Sequence, residues 1–428
     1  MRVAEDNKLR LEDRPIHEWY RFVLSFPPHL VRTYLERFGV NEAHNVLDPF
    51  CGTGTTLVEC KKQGVPSVGI EANHVAHFAS AVKIDWSPDP AGLLDHARDV
   101  ADTALAMLAT DGVAEYSLPL FQEQREITLR SLPADAHAIL LENSISPLPL
   151  HKTLVLLEAM RVRRDDRYYR HERLALAREL TTTIGNLHFG PEVGVGPAKA
   201  DAPVVSAWLQ SVKRMANDIA ENQGRKETPS IVHCADSRQL VGRLEPCSLD
   251  AVITSPPYPN EKDYTRTTRL EAVILGFIEN KAELRALKQD LLRSNTRGVY
   301  KGDTDETYIA HHERIQELAE TIEARRIELG KTSGFEKLYA RVTKLYFGGM
   351  ARHLIELRSV LRPGARLAYV VGDQASYLRV MIRTGEILAD IALDLGYKVE
   401  SIDLFRTRLA TATKEQLREE VVVLCWEG

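Results

Sequence analysis

The 428-residue sequence contains no apolar run near 18 residues and no charged-then-apolar leader. A helical membrane span and a secretory signal peptide both need a continuous hydrophobic stretch, so the sequence predicts neither. We therefore expect a protein that acts in the cytoplasm and has no membrane partner.

Cysteine is scarce and widely spaced. The five cysteines include no Cys-x-x-Cys pair, and the 14 histidines show no convincing metal-ligand spacing. This pattern favours a reduced intracellular protein without a structural zinc site. We expect no metal.

The sequence also lacks an excess of positive charge, since its formal net charge is −5. Any contact with nucleic acid must then come from local basic patches, which counts against a nonspecific DNA-coating protein. The apolar content of 44% and charged content of 27% are ordinary for a globular chain. The length suffices for roughly two to three domains.

The most informative stretch is Thr-Ser-Pro-Pro-Tyr at residues 254–258, which follows the apolar run 249–253. The two prolines fix φ and remove two backbone donors. The carbonyls of Ser255 and Pro256 are then held out as acceptors, beside the Ser255 hydroxyl and the flat ring of Tyr258. This combination suits a planar base with an exocyclic amino group. The alternative is a proline-rich turn after a strand.

A second motif, Asp48-Pro-Phe-Cys-Gly-Thr-Gly-Thr-Thr, predicts a strand, a glycine-rich turn and a helix. It has neither the Gly-Lys-Ser/Thr ending of a phosphate loop nor the third glycine of a dinucleotide fingerprint. An acidic residue at the strand end instead suits a ligand with a positive amino group, and the glycines allow its close approach. Many α/β turns, however, need glycine for geometry alone.

Acidic residues follow two further predicted strands. Glu71 ends the strand at residues 66–71, and Asp236 follows the strand Ser230–Cys234. Carboxylates at successive strand tips commonly bind the ribose hydroxyls of a nucleoside. Asp236 is expected to accept a hydrogen bond from an adenine amino group. For Glu71 alone, a solvated strand-end acid is the alternative.

Seven predicted strands, near residues 46, 68, 232, 251, 368, 401 and 423, alternate with helices apart from a final hairpin-like pair. This pattern predicts an α/β, Rossmann-like sheet. Residues 15–86 form its N-terminal half, and residues 230–260 with 351–428 form its catalytic half. Two helical segments interrupt it, at 87–229 and 261–350, and both are candidates for DNA contact or target recognition. Within them we expect a mobile glycine-rich loop at 186–196 and a long helix at 304–329.

Basic residues cluster in three places. The run Arg161-Val-Arg-Arg-Asp-Asp-Arg-Tyr-Tyr is interleaved with tyrosines and is typical of nucleic-acid contacts, although a solvated helix face is the alternative. A second set directly follows the proline motif, and a third lies near the last strands, where it would grip phosphate. The candidate DNA-binding residues are Arg161, Arg163, Arg164, Arg167, Lys262, Tyr264, Arg266, Arg269 and Arg406.

The two motifs together resemble the S-adenosylmethionine-dependent amino-methyltransferases of DNA. In that family the glycine motif binds the cofactor, and the Ser-Pro-Pro-Tyr position carries catalysis. The resemblance implies a seven-stranded methyltransferase sheet, S-adenosylmethionine as cofactor and double-stranded DNA as substrate, with a cognate restriction endonuclease as a further candidate partner. It assigns catalysis to Ser255, Pro256, Pro257 and Tyr258. The cofactor residues are Phe26, Pro27, Asp48, Phe50, Gly52, Gly54, Thr55, Glu71 and Asp236.

Serine at position 255 implies transfer to N4 of cytosine, because the family usually has Asp or Asn there for N6 of adenine. Adenine-N6 transfer is the nearest rival. An RNA guanine-N2 methyltransferase shares the cofactor motif but is expected to carry an N-terminal RNA-binding domain, and a regulator with a dead site is a further alternative. Transfer to cytosine C5 is rejected, because Pro246-Cys247 precedes its strand rather than following it.

Overall fold

The computed structural model describes residues 9–21, 25–116, 128–189, 192–260, 262–409 and 416–428. The described strands, in chain order, are β1 (Val46–Asp48), β2 (Ser67–Glu71), β3 (Leu187–Phe189), β4 (Val193–Val195), β5 (Ser230–Cys234), β6 (Leu249–Thr254), β7 (Leu361–Gly372), β8 (Lys398–Leu409) and β9 (Gln416–Trp426). Seven of them form one sheet in the order β5-β2-β1-β6-β7-β9-β8. The first five of that order are parallel, whereas β9 runs antiparallel to both β7 and β8.

This sheet confirms the predicted fold class, including the final antiparallel pair. The chain builds β1, β2 and β5 on one side and then returns to add β6 and β7 on the other. The direction of strand addition therefore reverses between β1 and β6. In open α/β sheets, ligands bind beyond the carboxyl ends of the strands at such a reversal.

The helices surround the sheet and form the two interrupting segments. They are α1 (Arg14–His17), α2 (Pro28–Arg37), α3 (Thr55–Lys62), α4 (His74–Lys83), α5 (Pro90–Thr110), α6 (Ala134–His137), α7 (Pro147–Val162), α8 (Tyr169–Glu179), α9 (Val204–Asn222), α10 (Tyr264–Thr267), α11 (Arg269–Ile274), α12 (Lys281–Asp290), α13 (Glu313–Glu328), α14 (Tyr339–Leu357) and α15 (Thr384–Asp394). No helix among the described residues is long and apolar enough to cross a membrane.

Alternate residues of the central strands enter two different cores, because successive side chains of a strand point to opposite faces. Val46 and Ile253 pack with α2 on one face. Leu47 and Val252 pack with α14 and α15 on the other. Burial on both faces explains why these strands read as continuous apolar runs in the sequence.

Residues 87–229, called here the first insertion, form a helical core of their own. Helices α5, α7, α8 and α9 enclose the fully buried Trp208. Apolar residues of α3 and α4 belong to the same core. Apolar residues between positions 270 and 287, which follow β6 in the chain, also pack in it. Apolar packing thus joins the first insertion to the N-terminal half of the sheet.

Residues 261–350, called here the second insertion, do not form a separate unit. Helix α14 runs across position 350, and its buried residues share one core with strands β1, β6 and β7. Helix α14 thus continues through the predicted division between 350 and 351. The apolar face of α14 is part of the layer that covers the sheet.

Two local features differ from the predicted loop and helix. The described part of 186–196 contains the paired antiparallel strands β3 and β4, and the Asn186 side chain bonds to Ser146 and to the Lys199 N–H. The predicted helix 304–329 begins only at Glu313 and is preceded by a 3₁₀ turn at Asp305–Ile309. This turn forms because Asp305 points into the protein, as described below.

Candidate active site

The two sequence motifs meet at the carboxyl ends of adjacent strands. Strands β1 and β6 pair in parallel, with Leu47 opposite Val252. Just beyond this pair, the Thr254 hydroxyl donates to Asp48 Oδ1 at 2.6 Å. The glycine loop (residues 49–54) and the proline loop (residues 255–258) therefore leave the sheet side by side, although some 200 positions separate them in sequence.

Glycine is required where the glycine loop turns into α3. Gly54 has φ +83°, a left-handed conformation that side chains rarely adopt. A Cβ at this position would also lie 2.5 Å from Ser80 Oγ of α4. The loop can therefore pack closely on α4 only with glycine at position 54.

Two carboxylates lie under the glycine loop. Asp48 is fully buried; its Oδ1 accepts from the Phe50 N–H and the Thr254 hydroxyl, whereas its Oδ2 has no partner. Burial raises the pKa of Asp48 to about 6. An unpartnered buried oxygen is costly, so a ligand donor or cation at this position would be stabilising.

Glu71 lies one strand away, at the end of β2. Its Oε2 accepts from the Gly52 N–H at 2.9 Å and its Oε1 from the Asn73 N–H at 2.7 Å. Burial raises the pKa of Glu71 to about 7, and the neighbouring Asp48 charge adds to that rise. Each oxygen keeps a further lone pair, so Glu71 can still accept from two hydroxyl groups.

The proline loop forms the other side of the site. The Ser255 hydroxyl donates to the Val370 carbonyl of β7 at 3.1 Å. The Tyr258 ring packs on Gly372, where a Cβ would lie 3.0 Å from the ring. Burial raises the pKa of the Tyr258 phenol, so it stays protonated. The loop is thus held rigidly, with a hydroxyl and an aromatic ring at its surface.

Both loops line one cavity of about 430 Å³. This volume lies within the usual range for small-molecule sites. Apolar side chains such as Ile70 and Leu292 supply much of the wall, and Glu71 and Asp290 supply charge. The cavity therefore offers flat apolar surfaces together with a few polar anchors.

The structure brings many of the predicted site residues to this cavity. Those that line it are Phe26, Phe50, Gly52, Thr55, Glu71, Ser255, Pro256, Pro257, Tyr258, Lys262, Tyr264 and Arg406. Those that do not line it are Pro27, Asp48, Gly54, Asp236, Arg161, Arg163, Arg164, Arg167, Arg266 and Arg269. Of this second group, Asp48 and Gly54 shape the cavity from directly behind its wall.

Asp236 differs from its predicted position at the site. Its carboxylate accepts from the Arg238 N–H at 2.9 Å, from Nε at 2.9 and 3.0 Å, and from Nη2 at 2.7 Å. Arg238 also donates to Asp305 at 2.5 Å. The neighbours Ala235 and Ser237 line the cavity, whereas Asp236 belongs to a buried ion-pair network.

The arginines of the first insertion are paired locally rather than gathered at the cavity. Arg164 bonds to Asp166 and stacks on Tyr169, and Arg167 bonds to Asp165. Arg269 of the second insertion is buried and donates to the Thr265 and Ile139 carbonyls. The geometry thus gives these arginines structural partners.

Several cavity residues escaped the sequence analysis. They come mainly from the second insertion and from β9, and include Lys288, Asp290, Leu291, Arg293, Asn295 and Glu419. Asn260 shows how that insertion is held against the proline loop, because its N–H donates to the Ser294 carbonyl at 2.9 Å. The only signal in the sequence was the polar character of the loop at 293–303.

The arrangement defines a class of protein. A Rossmann-like sheet holds carboxylates suited to a nucleoside beside a rigid loop of hydrogen-bond acceptors, with both facing one cavity. Such a site serves group transfer from a nucleoside cofactor to a second substrate.

Comparison with known proteins finds similarity to DNA methyltransferases. A model of a DNA methylase family, N6_N4_Mtase, matches residues 4–81. The Type II methyltransferase M.BsoBI of Geobacillus stearothermophilus is 26% identical over 460 residues, which cover 97% of this chain and 86% of that protein. The Type II methyltransferase M.AvaI of Nostoc sp. is 23% identical and covers 94% of this chain and 83% of its own length. Over nearly its whole length the chain is similar to DNA methyltransferases, and S-adenosylmethionine is the cofactor that this similarity implies.

Among solved structures, TrmN from Thermus thermophilus is 12% identical, with a TM-score of 0.29. The aligned region covers 96% of this chain and 52% of the TrmN chain. The fold assignment depends on the strand order described above rather than on this similarity. The residues present fit S-adenosylmethionine, because Glu71 can accept from ribose hydroxyls and Asp48 Oδ2 lacks a donor.

Proposed function

We propose that this DNA methyltransferase transfers a methyl group to the exocyclic N4 of cytosine in duplex DNA. The observation that carries this proposal is serine at position 255, in a loop that shares one cavity with the glycine loop. The relatives M.BsoBI and M.AvaI support a Type II enzyme that modifies a specific DNA site. A cognate restriction endonuclease would then be its cellular partner.

The proline loop would activate the amino group by accepting hydrogen bonds from its N–H groups. The Ser255 hydroxyl uses its hydrogen for the Val370 carbonyl, so its oxygen lone pairs remain available toward the cavity. The Pro256 carbonyl supplies a second acceptor. Two such bonds favour a more tetrahedral nitrogen, whose lone pair is less delocalised into the ring.

The target base would be held by stacking as well as by hydrogen bonds. A base inside the duplex cannot reach this cavity, so it must rotate out of the stack. Tyr258 provides a flat ring fixed against Gly372. Base–aromatic stacking is worth about 1–3 kcal/mol per base, which offsets part of the cost of unstacking.

The cofactor supplies an electrophilic sulfonium methyl group, and the chain's own residues position it. Glu71 would accept from the ribose, while Asp48 and the glycine loop residues Phe50, Gly52 and Gly54, with Thr55, would hold the rest. Phe26 lines the same cavity, and Pro27 directly precedes the adjoining helix α2. Correct positioning can lower the barrier by about 7–11 kcal/mol in well-oriented systems.

DNA would approach over the cavity mouth. Lys262, Tyr264 and Arg406 line the cavity and would contact the flipped nucleotide or its phosphates. In the free protein Arg406 is held by Glu419 in a two-bond ion pair at 2.6 and 2.8 Å, which keeps its guanidinium in one orientation. The roles of Arg161, Arg163, Arg164, Arg167, Arg266 and Arg269 in DNA contact remain predictions.

Product analysis tests the proposal. Purified protein is incubated with labelled S-adenosylmethionine and unmodified duplex DNA of varied sequence, and the digested nucleosides are separated by mass spectrometry. We expect N4-methylcytosine. N6-methyladenine would instead support the adenine rival on the same scaffold, and label in structured RNA alone would favour guanine-N2 transfer.

The assigned roles make a separate prediction. Ser255→Ala should reduce turnover about 100-fold, because it removes an acceptor used at the reacting nitrogen. Cofactor affinity, measured by calorimetry, should change little in this variant. Asp48→Ala and Glu71→Ala should weaken cofactor binding instead. Equal loss of cofactor affinity in all three variants would contradict the division of roles.

A further inference from the structure

The adenine end of the cofactor cavity lacks the acceptor that β5 was expected to provide. Asp236 follows β5, yet Arg238 occupies both of its carboxylate oxygens. The side chains of Asp236 and Arg238 are only 9% and 6% exposed, so neither can turn toward a ligand without breaking a buried ion pair. A different group must therefore read the adenine amino group.

The order of strands indicates where that end lies. The proline loop follows β6, the glycine loop follows β1, and Glu71 ends β2. A cofactor with its reacting methyl group near the proline loop and its ribose at Glu71 would extend its base toward β5. Ala235 and Ser237, on either side of Asp236, line the cavity there.

Asp290 is a free carboxylate at this end. It is the last residue of α12, it is exposed, and it lines the cavity together with Leu291 and Leu292. Among the described residues it forms no ion pair or side-chain hydrogen bond, and the nearby Lys288 is already paired with Asp263 at 2.7 Å. Asp290 is thus available to a ligand.

A direct contact locates it next to β5, because Nη2 of Arg238, in the loop after β5, donates to the carbonyl of Gln289, the residue before Asp290, at 3.4 Å. Cys234, the last residue of β5, pairs with Glu71 of β2 in the sheet. Partial burial raises the pKa of the Cys234 thiol, and the charges of Glu71 and Asp290 add to that rise. Asp290 therefore lies within electrostatic range of the end of β5, in the direction in which the base extends from Glu71.

We infer that Asp290 of the second insertion accepts a hydrogen bond from the exocyclic amino group of the cofactor's adenine. The second insertion then reads the nucleobase, while Asp236 holds that insertion in place through Arg238 and Asp305. This inference depends on the cofactor cavity and not on which DNA base is methylated.

Binding of cofactor analogues tests the inference without any measurement of methylation. Calorimetry compares S-adenosylhomocysteine with S-inosylhomocysteine, in which a carbonyl replaces the adenine amino group. Wild-type protein should prefer the adenine compound about tenfold, because a carboxylate accepts from an amino group and repels a carbonyl. In Asp290→Asn this preference should disappear, since an amide can donate to the carbonyl.

The matched control is Glu320→Gln, an exposed carboxylate-to-amide change on α13 that lies outside the cavity lining. It should keep the tenfold preference. A preference that survives unchanged in Asp290→Asn would overturn the inference. Failure to detect N4-methylcytosine in the DNA assay would leave this result unaffected, so the two proposals fail separately.

Discussion

The two insertions are both helical, but they are attached to the sheet by different kinds of interaction. The first insertion is joined to α3 and α4 by a continuous apolar core around Trp208. The second insertion also makes apolar contacts with the sheet, through α14. The part of it that lies beside the cavity is held by the buried ion pairs of Arg238 with Asp236 and Asp305. Apolar packing tolerates small shifts, whereas a buried ion pair is strongly directional.

The difference in attachment corresponds to a difference in position relative to the site. No described residue of the first insertion lines the cavity, whereas the second insertion contributes its wall from Lys262 to Gly298. The first insertion thus supports the scaffold, and the second helps to build the site.

The largest expected effect comes from breaking the charged attachment. In Asp305→Ala the guanidinium of Arg238 loses a buried partner, and Arg352 loses its contact with the same carboxylate. Removing one partner of a buried pair typically costs about 3–5 kcal/mol. Hydrogen exchange followed by mass spectrometry should show faster exchange in peptides from residues 281–310, with residues 147–179 of the first insertion unchanged.

The neighbouring Glu306→Ala is the matched control. Glu306 pairs with Arg341 at 3.4 Å, and both side chains are partly exposed, so its loss should have little effect. If Asp305→Ala accelerated exchange no more than Glu306→Ala, or accelerated it equally in both insertions, the proposed difference in attachment would be wrong.

A second expected effect concerns the junction of the two insertions. Glu271, on α11, is fully buried in the core of the first insertion; its Oε1 accepts from the Tyr20 hydroxyl, and its Oε2 has no partner. Burial raises the pKa of Glu271 from 4.5 to about 7. Between these values the folded protein retains a proton that the unfolded chain releases, so stability falls as pH rises.

Glu271→Gln should therefore flatten the pH dependence of stability. The glutamine side chain cannot titrate. The free energy of unfolding of the variant, relative to that of wild type, should therefore rise by about 3 kcal/mol at most as pH rises from 4.5 to above 7. Urea unfolding at several pH values measures the effect. Glu279→Gln, an exposed change in the same insertion, should keep the wild-type slope, and an unchanged slope in Glu271→Gln would contradict the assignment.

The sequence predicted the sheet and the meeting of the two loops because those features depend on local signals. Apolar runs of strand length, the glycines at the start of α3 and the double proline each act within a few residues. The parallel pairing of β1 with β6 then follows from how such units assemble. Ser255, Tyr258 and Glu71 reach the cavity for these reasons.

What the sequence could not provide depends on distant partners. Asp236 is withdrawn from the site by Arg238, whose orientation depends on Asp305, 67 residues further along the chain. Asp305 can approach only because Gly348 of α14 has no side chain; a Cβ there would collide with the Asp305 carbonyl. The same contact turns residues 305–309 inward, which is why the predicted long helix begins late.

The smallest expected effect concerns DNA contact and compares the two insertions directly. Arg164 and Arg167 are neutralised by Asp166 and Asp165 and do not line the cavity, whereas Lys262 and Arg406 do line it. Each phosphate contact contributes about one unit to the slope of log affinity against log salt. Replacing Arg406 or Lys262 with alanine should therefore lower that slope by about one.

Replacing both Arg164 and Arg167 with alanine should leave the slope unchanged, even though this removes two positive charges rather than one. Fluorescence anisotropy with a labelled duplex at several salt concentrations measures all three variants, and circular dichroism checks that each is folded. A slope lowered by the arginine pair and unaffected by Arg406 would reverse the comparison. DNA would then lie over the first insertion, and the basic run at residues 161–169 would be the contact surface.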